Sequence, residues 1–346
     1  MKATFPVNIV AVLLQRDPMV EGTFQRVKVE RSSDGKSRWT VLQPLRMQGV
    51  TTVDDGQKLR RYLPDHKIIL EEASLSNVGG QVENKLQLAR RNYTFKLEKA
   101  PNIAGRATVC VVATPRHAEL DVRKFYIDEA TSYPLRAETY GGGNEITVIF
   151  DTKDIQYPKD LDRNLFTLRP LGRVHVEKLN RPKAILNAAA AKSLVGFLPV
   201  IPSKLPMGFQ VQDVQYNNSK DWQPVVIGLS DGLARARVYQ WKPNGKPIQA
   251  MEDSTVLTHQ GIRIMVISDL DPKVRLRLLE TFIAQASMPP EAQAYKLIGL
   301  RMPAETGLSA CSELLTAIRA FANLEGLGGY GSIVATDRPA VARFCT

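Results

Sequence analysis

The first place to look for chemistry is Ser230-Asp231-Gly232, where a hydroxyl stands beside a carboxylate. A nucleophilic serine needs a base within hydrogen-bond reach and donors for the developing oxyanion. The GxSxG context that presents such a serine is missing, and Ser, Asp and Gly together also make tight turns, so the turn is preferred. Two acidic pairs, Asp54-Asp55 and Glu71-Glu72, have groups suited to a cation or to proton transfer. Neighbours along a strand face opposite ways and the first pair lies in turn-like sequence, so both pairs are read as solvated surface. His66, His117, His175 and His259 lie far apart without HExxH spacing, and Cys110, Cys311 and Cys345 form no CxxC. The glycines at 141–143 and 326–331 lack the Lys-Ser/Thr of a phosphate loop and are read as loops. Trp39, Trp222 and Trp241 have the faces for stacking on bases or sugars, but core or rim packing is preferred. No catalytic residue, metal ligand or cofactor is assigned. An enzyme reading would fall back on the C-terminal segment, with Ser309, Cys311 and Asp337.

Those residues belong to an ordinary globular chain of 346 residues, 44% hydrophobic and 23% charged. At roughly 100–200 residues per domain, two compact domains are expected. The net charge of +11 is spread out: residues 1–178 carry 28 Lys and Arg against 22 Asp and Glu, and residues 179–346 carry 18 against 13. Tracking a phosphate backbone needs basic groups gathered on one surface, so no nucleic-acid partner is expected. Peripheral contact with an anionic membrane, or with an acidic partner, fits a diffuse excess better. No apolar run approaches the ~20 residues of a membrane-spanning helix. Met1–Leu14 carries one positive charge and a short apolar patch, followed by Gln15-Arg16-Asp17 where a signal peptide has small residues. It is read as the first amphipathic helix of a mature domain. Cys110, in the apolar run 107–112, is read as a buried small hydrophobe; Cys311 and Cys345 would be free to pair in an oxidising compartment.

From Val20 to Thr167 the dominant period is two. Strands are expected at 23–29, 38–42, 58–63, 67–70, 93–97, 107–113, 124–127, 135–140 and 145–150, with a hairpin loop at Gly141–Asn144. Helical spacing of Val82, Leu86 and Ala89 predicts a helix over 81–91, and a short one is expected after Pro158. Residues 181–197 read as a helix begun by Pro182, and Pro199, Pro202 and Pro206 then mark a connector. A second β-rich unit follows, with strands near 209–216, 224–229, 234–241 and 262–267. It ends in a helix capped by Asp271-Pro272, whose Val274, Leu278, Leu279, Phe282, Ile283 and Ala286 form one stripe. Beyond Pro290 one helix is expected over 311–323.

The order of these pieces resembles the RseB/MucB family of sigma-E regulatory proteins, whose first domain is similar to the lipoprotein carrier LolA. In the first domain the resembling segments are Gly22–Phe24, Arg61–Pro64, Ile103–Arg106, Phe125–Asp128, Tyr133–Arg136 and Val148–Phe150. The second domain carries Leu205-Pro-Met-Gly-Phe209, Leu229–Ala234, Arg237–Tyr239 and Gly261–Met265. The resemblance implies an α+β protein: a LolA-like curved antiparallel half-barrel covering helices over 1–178, a helical, Pro-rich linker over 179–204, and a smaller RseB-type domain over 205–288. Residues 289–346 stay unassigned. It further implies a non-enzymatic periplasmic or otherwise extracytoplasmic protein that senses lipid or lipoprotein and binds the extracytoplasmic domain of an anti-sigma factor in envelope-stress signalling. The alternative is a LolA-like lipoprotein carrier. Ligands would be an acyl chain, a lipoprotein or lipopolysaccharide. Alternation suggests Phe24, Trp39, Leu42, Leu86 and Phe150 as cavity lining, and Asp231, Arg235 and Arg237 as a partner surface.

Overall fold

A computed structural model describes residues 7–16, 23–74, 80–141, 145–170, 172–179, 183–184, 188–216, 224–243 and 254–286. The first unit comprises strands β1 (Ile9–Arg16), β2 (Phe24–Arg31), β3 (Ser37–Gln43), β4 (Thr51–Asp54), β5 (Lys58–Leu63) and β6 (Ile68–Ala73), helix α1 (Gly80–Asn92), then β7 (Tyr93–Lys99), β8 (Thr108–Pro115), β9 (Val122–Asp128), β10 (Pro134–Tyr140), β11 (Ile146–Gln156) and β12 (His175–Lys178). They form one curved, open sheet in the order β12-β6-β5-β4-β3-β2-β1-β11-β10-β9-β8-β7. All neighbours are antiparallel except β12, which pairs parallel to β6.

The chain start is a strand, not the expected helix. Val7–Leu14 is rich in β-branched residues, and Ile9, Ala11 and Leu13 are buried at alternate positions in the middle of the sheet. A helix there would keep Ile9 and Leu13 on one face and turn Ala11 to the opposite one. The helix expected after Pro158 is a single 3₁₀ turn, Arg163–Phe166, capped by the Asp162 side chain, which accepts from Asn164 N. Asp54, expected on the surface, is buried, whereas Asp55 stays in the turn and accepts from the backbone of Gln57 and Lys58. Glu71 accepts from Lys58 and Arg60 on the neighbouring strand, which holds its carboxyl below the ordinary value. Cys110 is buried as expected, and burial pushes its thiol up to about 11, which keeps it protonated and unreactive at neutral pH.

The second unit comprises β13 (Lys183–Ala184), α2 (Ala188–Val195), β14 (Gln210–Tyr216), β15 (Val225–Ser230), β16 (Arg235–Trp241), β17 (Ser254–His259), β18 (Ile262–Ile267) and α3 (Pro272–Ala286), with sheet order β13-β14-β15-β16-β18-β17. Lys183 and Ala184 pair with β14, so the expected helix over 181–197 begins later. The proline stretch after α2 is no free connector. Phe197, Val200 and Ile201 enter the second core, and the fully buried Gln240 amide bonds both the N–H (2.8 Å) and the C=O (2.6 Å) of Val200. An extended, proline-containing segment leaves backbone groups unpaired, and one side-chain amide satisfies a donor and an acceptor at once. Helix α3 begins as its cap implies, Asp271 accepting from Lys273 N, and its Val274, Leu278, Leu279 and Phe282 pack with Ile227, Leu229, Val238 and Val266. Trp222, Cys311, Cys345 and the helix expected over 311–323 lie outside the described residues.

One polar cluster ties the β7–β11 half together. Asp128, 1% exposed, accepts from Arg106 Nε (2.7 Å), from Tyr157 OH (2.8 Å) and from the backbone of Ala130 and Thr131. Burial opposes its ionisation, but those donors outweigh burial and hold the carboxyl below the ordinary aspartate value. Its contribution is therefore present above the unfolded value and is lost as pH falls. Replacing Asp128 by Ala should cost about 2 kcal/mol or more, because four donors lose one acceptor while Arg106 is only partly buried. Urea denaturation should show a lower midpoint at pH 7, and a difference that narrows under acid conditions.

Candidate functional site

The functional geometry begins with α1. Its Leu86 and Ala89 lie in one cluster with Ile9, Ala11 and Leu13 of β1, Val27 and Val29 of β2, and Trp39 of β3. Phe125, Leu135 and Phe150 from β9, β10 and β11 complete it, so the helix lies over one face of the large sheet. Of the five residues expected to line a ligand cavity, Trp39, Leu86 and Phe150 come together there. Phe24 does not. It pairs with Arg16, stands 43% exposed, and shares the parity of Arg26 and Lys28 on the opposite face from Val27 and Val29. Leu42 is the extra residue of a bulge, because Val27 pairs with Val41 and Arg26 with Gln43.

The C-terminal end of α1 meets the second unit through the turn that follows β15. Within that turn Asp231 Oδ1 accepts from Leu233 N (2.9 Å) and Ala234 N (2.6 Å), and Gly232 N donates to Ser230 Oγ (3.0 Å). The turn reading of Ser230-Asp-Gly232 therefore holds, and the turn has a second task. Its Leu233, 2% exposed, belongs to the core of the first unit, while Leu120, from the loop between β8 and β9, belongs to the core of the second. Each unit has lent the other a leucine. Tyr93 OH donates to Asp231 Oδ2 over 2.6 Å, and Asn92 Nδ2 donates to Asp231 O (2.7 Å) and Gly208 O (3.0 Å). Arg123, 5% exposed, reaches Leu233 O at 3.5 Å and Asp269 at 3.8 Å.

Asp231 is fully buried in this junction, so it cannot serve on a free partner surface as expected. The expectation came from an acidic residue in a turn, which is solvated unless another domain closes over it. Arg235 and Arg237 are half-buried beside Asp213, and the charge of Lys85 from α1 also acts on Asp213, whose carboxyl burial raises. Asn92, Tyr93, Arg123 and Leu233 were not singled out from sequence. The one available signal was an apolar Leu immediately after a polar Ser-Asp-Gly turn.

Two glycines allow the close approach. Gly232 has φ +107°, and a Cβ there would stand 2.2 Å from Ala89 N; at Gly208, φ +73°, it would stand 2.2 Å from Asn92 Oδ1. Both positions need glycine for conformation and for space.

Nothing in this geometry assembles a nucleophile with a base, and among the described residues no cluster of His, Cys, Asp or Glu suits a metal. The model of the MucB/RseB N-terminal domain matches residues 19–166. Residues 19–166 thus carry a domain of that family. Among solved structures, MucB in complex with the periplasmic part of MucA is 16% identical, with 80% of this chain and 93% of that one aligned at a TM-score of 0.53. The MucA/MucB complex of Pseudomonas aeruginosa is likewise 16% identical over 80% and 93%, at a TM-score of 0.55. At such identities the likeness is one of fold, and at 80% of the chain it extends beyond the segment matched by the family model. No curated protein sequence matches the chain.

The burial of Asp231 raises its carboxyl above the ordinary aspartate value; Arg123 and the bonds from Tyr93, Leu233 and Ala234 act against that rise. The folded protein thus holds this proton to higher pH than the unfolded chain does. Stability falls as pH rises from about 4 through the raised value. Asp231→Asn should remove this slope in urea titrations. Tyr93→Phe should lower stability by about 1–3 kcal/mol, since a buried acceptor loses its donor. Gly232→Ala should cost well over 1 kcal/mol, as an L side chain at positive φ meets the α1 backbone. Unchanged midpoints in both variants would show that the junction does not form in solution.

Proposed function

We propose that this protein is a non-enzymatic, extracytoplasmic regulator that binds the extracytoplasmic domain of an anti-sigma factor and releases it in response to lipid or lipoprotein. The observation that carries the reading is the joined pair of units. A carrier needs the covered face of the first sheet but gives no role to a second domain that surrenders Leu233 to the first core. A regulator needs a coupled pair. The family match over residues 19–166 and the likeness in fold to MucA-bound solved structures support the anti-sigma factor as partner.

Helix α1 supplies the coupling. One stretch of it, Leu86 to Asn92, faces both the Trp39–Phe150 cluster and the turn carrying Gly232. An acyl chain entering beside Leu86 displaces side chains packed at interior density, and the helix cannot move without disturbing the contact at Ala89. Affinity for such a chain requires no special residue, because apolar burial contributes about 25 cal/mol per Å². Arg235 and Arg237 remain the proposed partner-facing charges of the second unit; Asp231 drops out of that set.

Isothermal titration of the full chain with the extracytoplasmic segment of its anti-sigma factor should give a Kd in about the micromolar range or tighter. Added acylated lipopeptide or lipopolysaccharide should weaken it about fivefold or more, a typical coupling between two sites. Binding that ignores both lipids would sink the sensing half. Absence of any binding, together with stoichiometric lipoprotein recovered from the periplasm, would favour the carrier.

A further inference from the structure

The face that α1 covers is not apolar throughout. On β3, β4 and β5, Trp39 stands opposite Thr52, and Thr52 opposite Arg61, so the three share one row on that face. Neighbouring strands lie about 5 Å apart, which brings two long side chains and a hydroxyl within reach of one small group. Arg61 Nε donates to Thr52 Oγ1 at 3.3 Å, a bond that fixes both side chains on the same side. The Thr52 hydroxyl hydrogen and the two terminal amino groups of Arg61 have no acceptor among the described residues. Trp39 is 9% exposed, and its Nε1 has no hydrogen-bond partner.

A buried indole N–H without an acceptor costs about 1–3 kcal/mol, and tryptophan is normally placed where its N–H finds one. Here every unsatisfied group in the row is a donor, and one carries a full positive charge. The carboxylate acting on Arg61 is Glu72, which sits in the next row of the same face with Leu59 and Asp54, while the buried Arg31 of that row is attracted to Asp54. Thr52 and Arg61 are only partly buried, so the row opens toward solvent, while the Trp39 ring continues into the cluster of Leu86 and Phe150.

We infer that Trp39, Thr52 and Arg61 form a subsite for an oxyanion, a phosphate or a carboxylate, which receives the polar end of a ligand whose apolar part lies under α1. This rests on the acyl-binding reading above. It assigns to that reading the side chains that would hold an anionic head group. A guanidinium offers two parallel donors to such a group, the indole N–H a third and the threonine hydroxyl a fourth.

The test titrates the full chain with dodecyl phosphate, with the uncharged dodecyl maltoside and with inorganic phosphate. The wild type should bind dodecyl phosphate roughly tenfold or more tightly than dodecyl maltoside, as charge-assisted bonds imply. Arg61→Gln should erase that preference and leave dodecyl maltoside affinity unchanged, Arg61→Lys should restore part of it, and Trp39→Phe should lower dodecyl phosphate affinity severalfold while keeping the apolar bulk. Thermal unfolding of each variant checks that the fold is retained. Equal affinity for both amphiphiles, unaffected at Arg61, would overturn the subsite while leaving the acyl site standing. Binding of inorganic phosphate alone, lost in Arg61→Gln, would uphold the oxyanion site and identify a free anion as its source. If none of the three binds, both readings fall.

Discussion

The architecture turns on a carboxylate without solvent. Taking a charged Asp231 out of water costs several kcal/mol, and the junction between the units offsets only part of that cost, which is why its carboxyl stays above the ordinary value. Two backbone N–H groups of its own turn bond one oxygen, the Tyr93 hydroxyl bonds the other, and Arg123 lies close enough to act on the charge. Bonds to a charged acceptor contribute about 1.5–3 kcal/mol each, so they recover much of the cost but not all of it. Burial of Leu233, about 1.5–3 kcal/mol, then decides in favour of docking. The margin is small because both sides of it are large.

That balance explains why α1 matters beyond packing. The helix presents its backbone at Ala89 to Gly232, and its last residue, Asn92, bonds the backbone of both Gly208 and Asp231. Backbone-to-backbone approach at that spacing tolerates no intervening atom, so the turn and the helix keep register or separate. The same helix turn carries Leu86 into the apolar cluster, where close packing admits no additional volume without a shift. In the proposed function, a change beneath the helix is transmitted to the junction through these contacts.

Much of this was legible in the residues. Period-two alternation located most strands, and the stripe on α3 and the spacing of Leu86 and Ala89 identified the faces that are buried. Parity would also have placed Phe24 correctly, since it falls with Arg26 and Lys28, not with Val27 and Val29. The chain start misled because Ile9–Leu14 is almost wholly apolar, and a short apolar run does not distinguish a central strand from a helix. What alternation cannot carry is which turn is covered. Ser230-Asp-Gly232 has the composition of a solvated turn, and its burial depends on Tyr93, Asn92 and Arg123, more than a hundred residues earlier.

The same limit applies inside the first sheet. Trp39, Thr52 and Arg61 are scattered over 23 positions, and each has an ordinary reading alone: a core aromatic, a strand threonine, a surface arginine. Antiparallel register turns them into neighbours on the face α1 covers, and only then does the absence of an acceptor become conspicuous. Apolar lining by itself selects for chain length and little else, because hydrophobic attraction is non-directional. Directional donors placed at one end of such a lining discriminate by head group. In this sheet it is β3, β4 and β5, at the polar end of the face that α1 covers, that have the side chains for that second kind of selectivity.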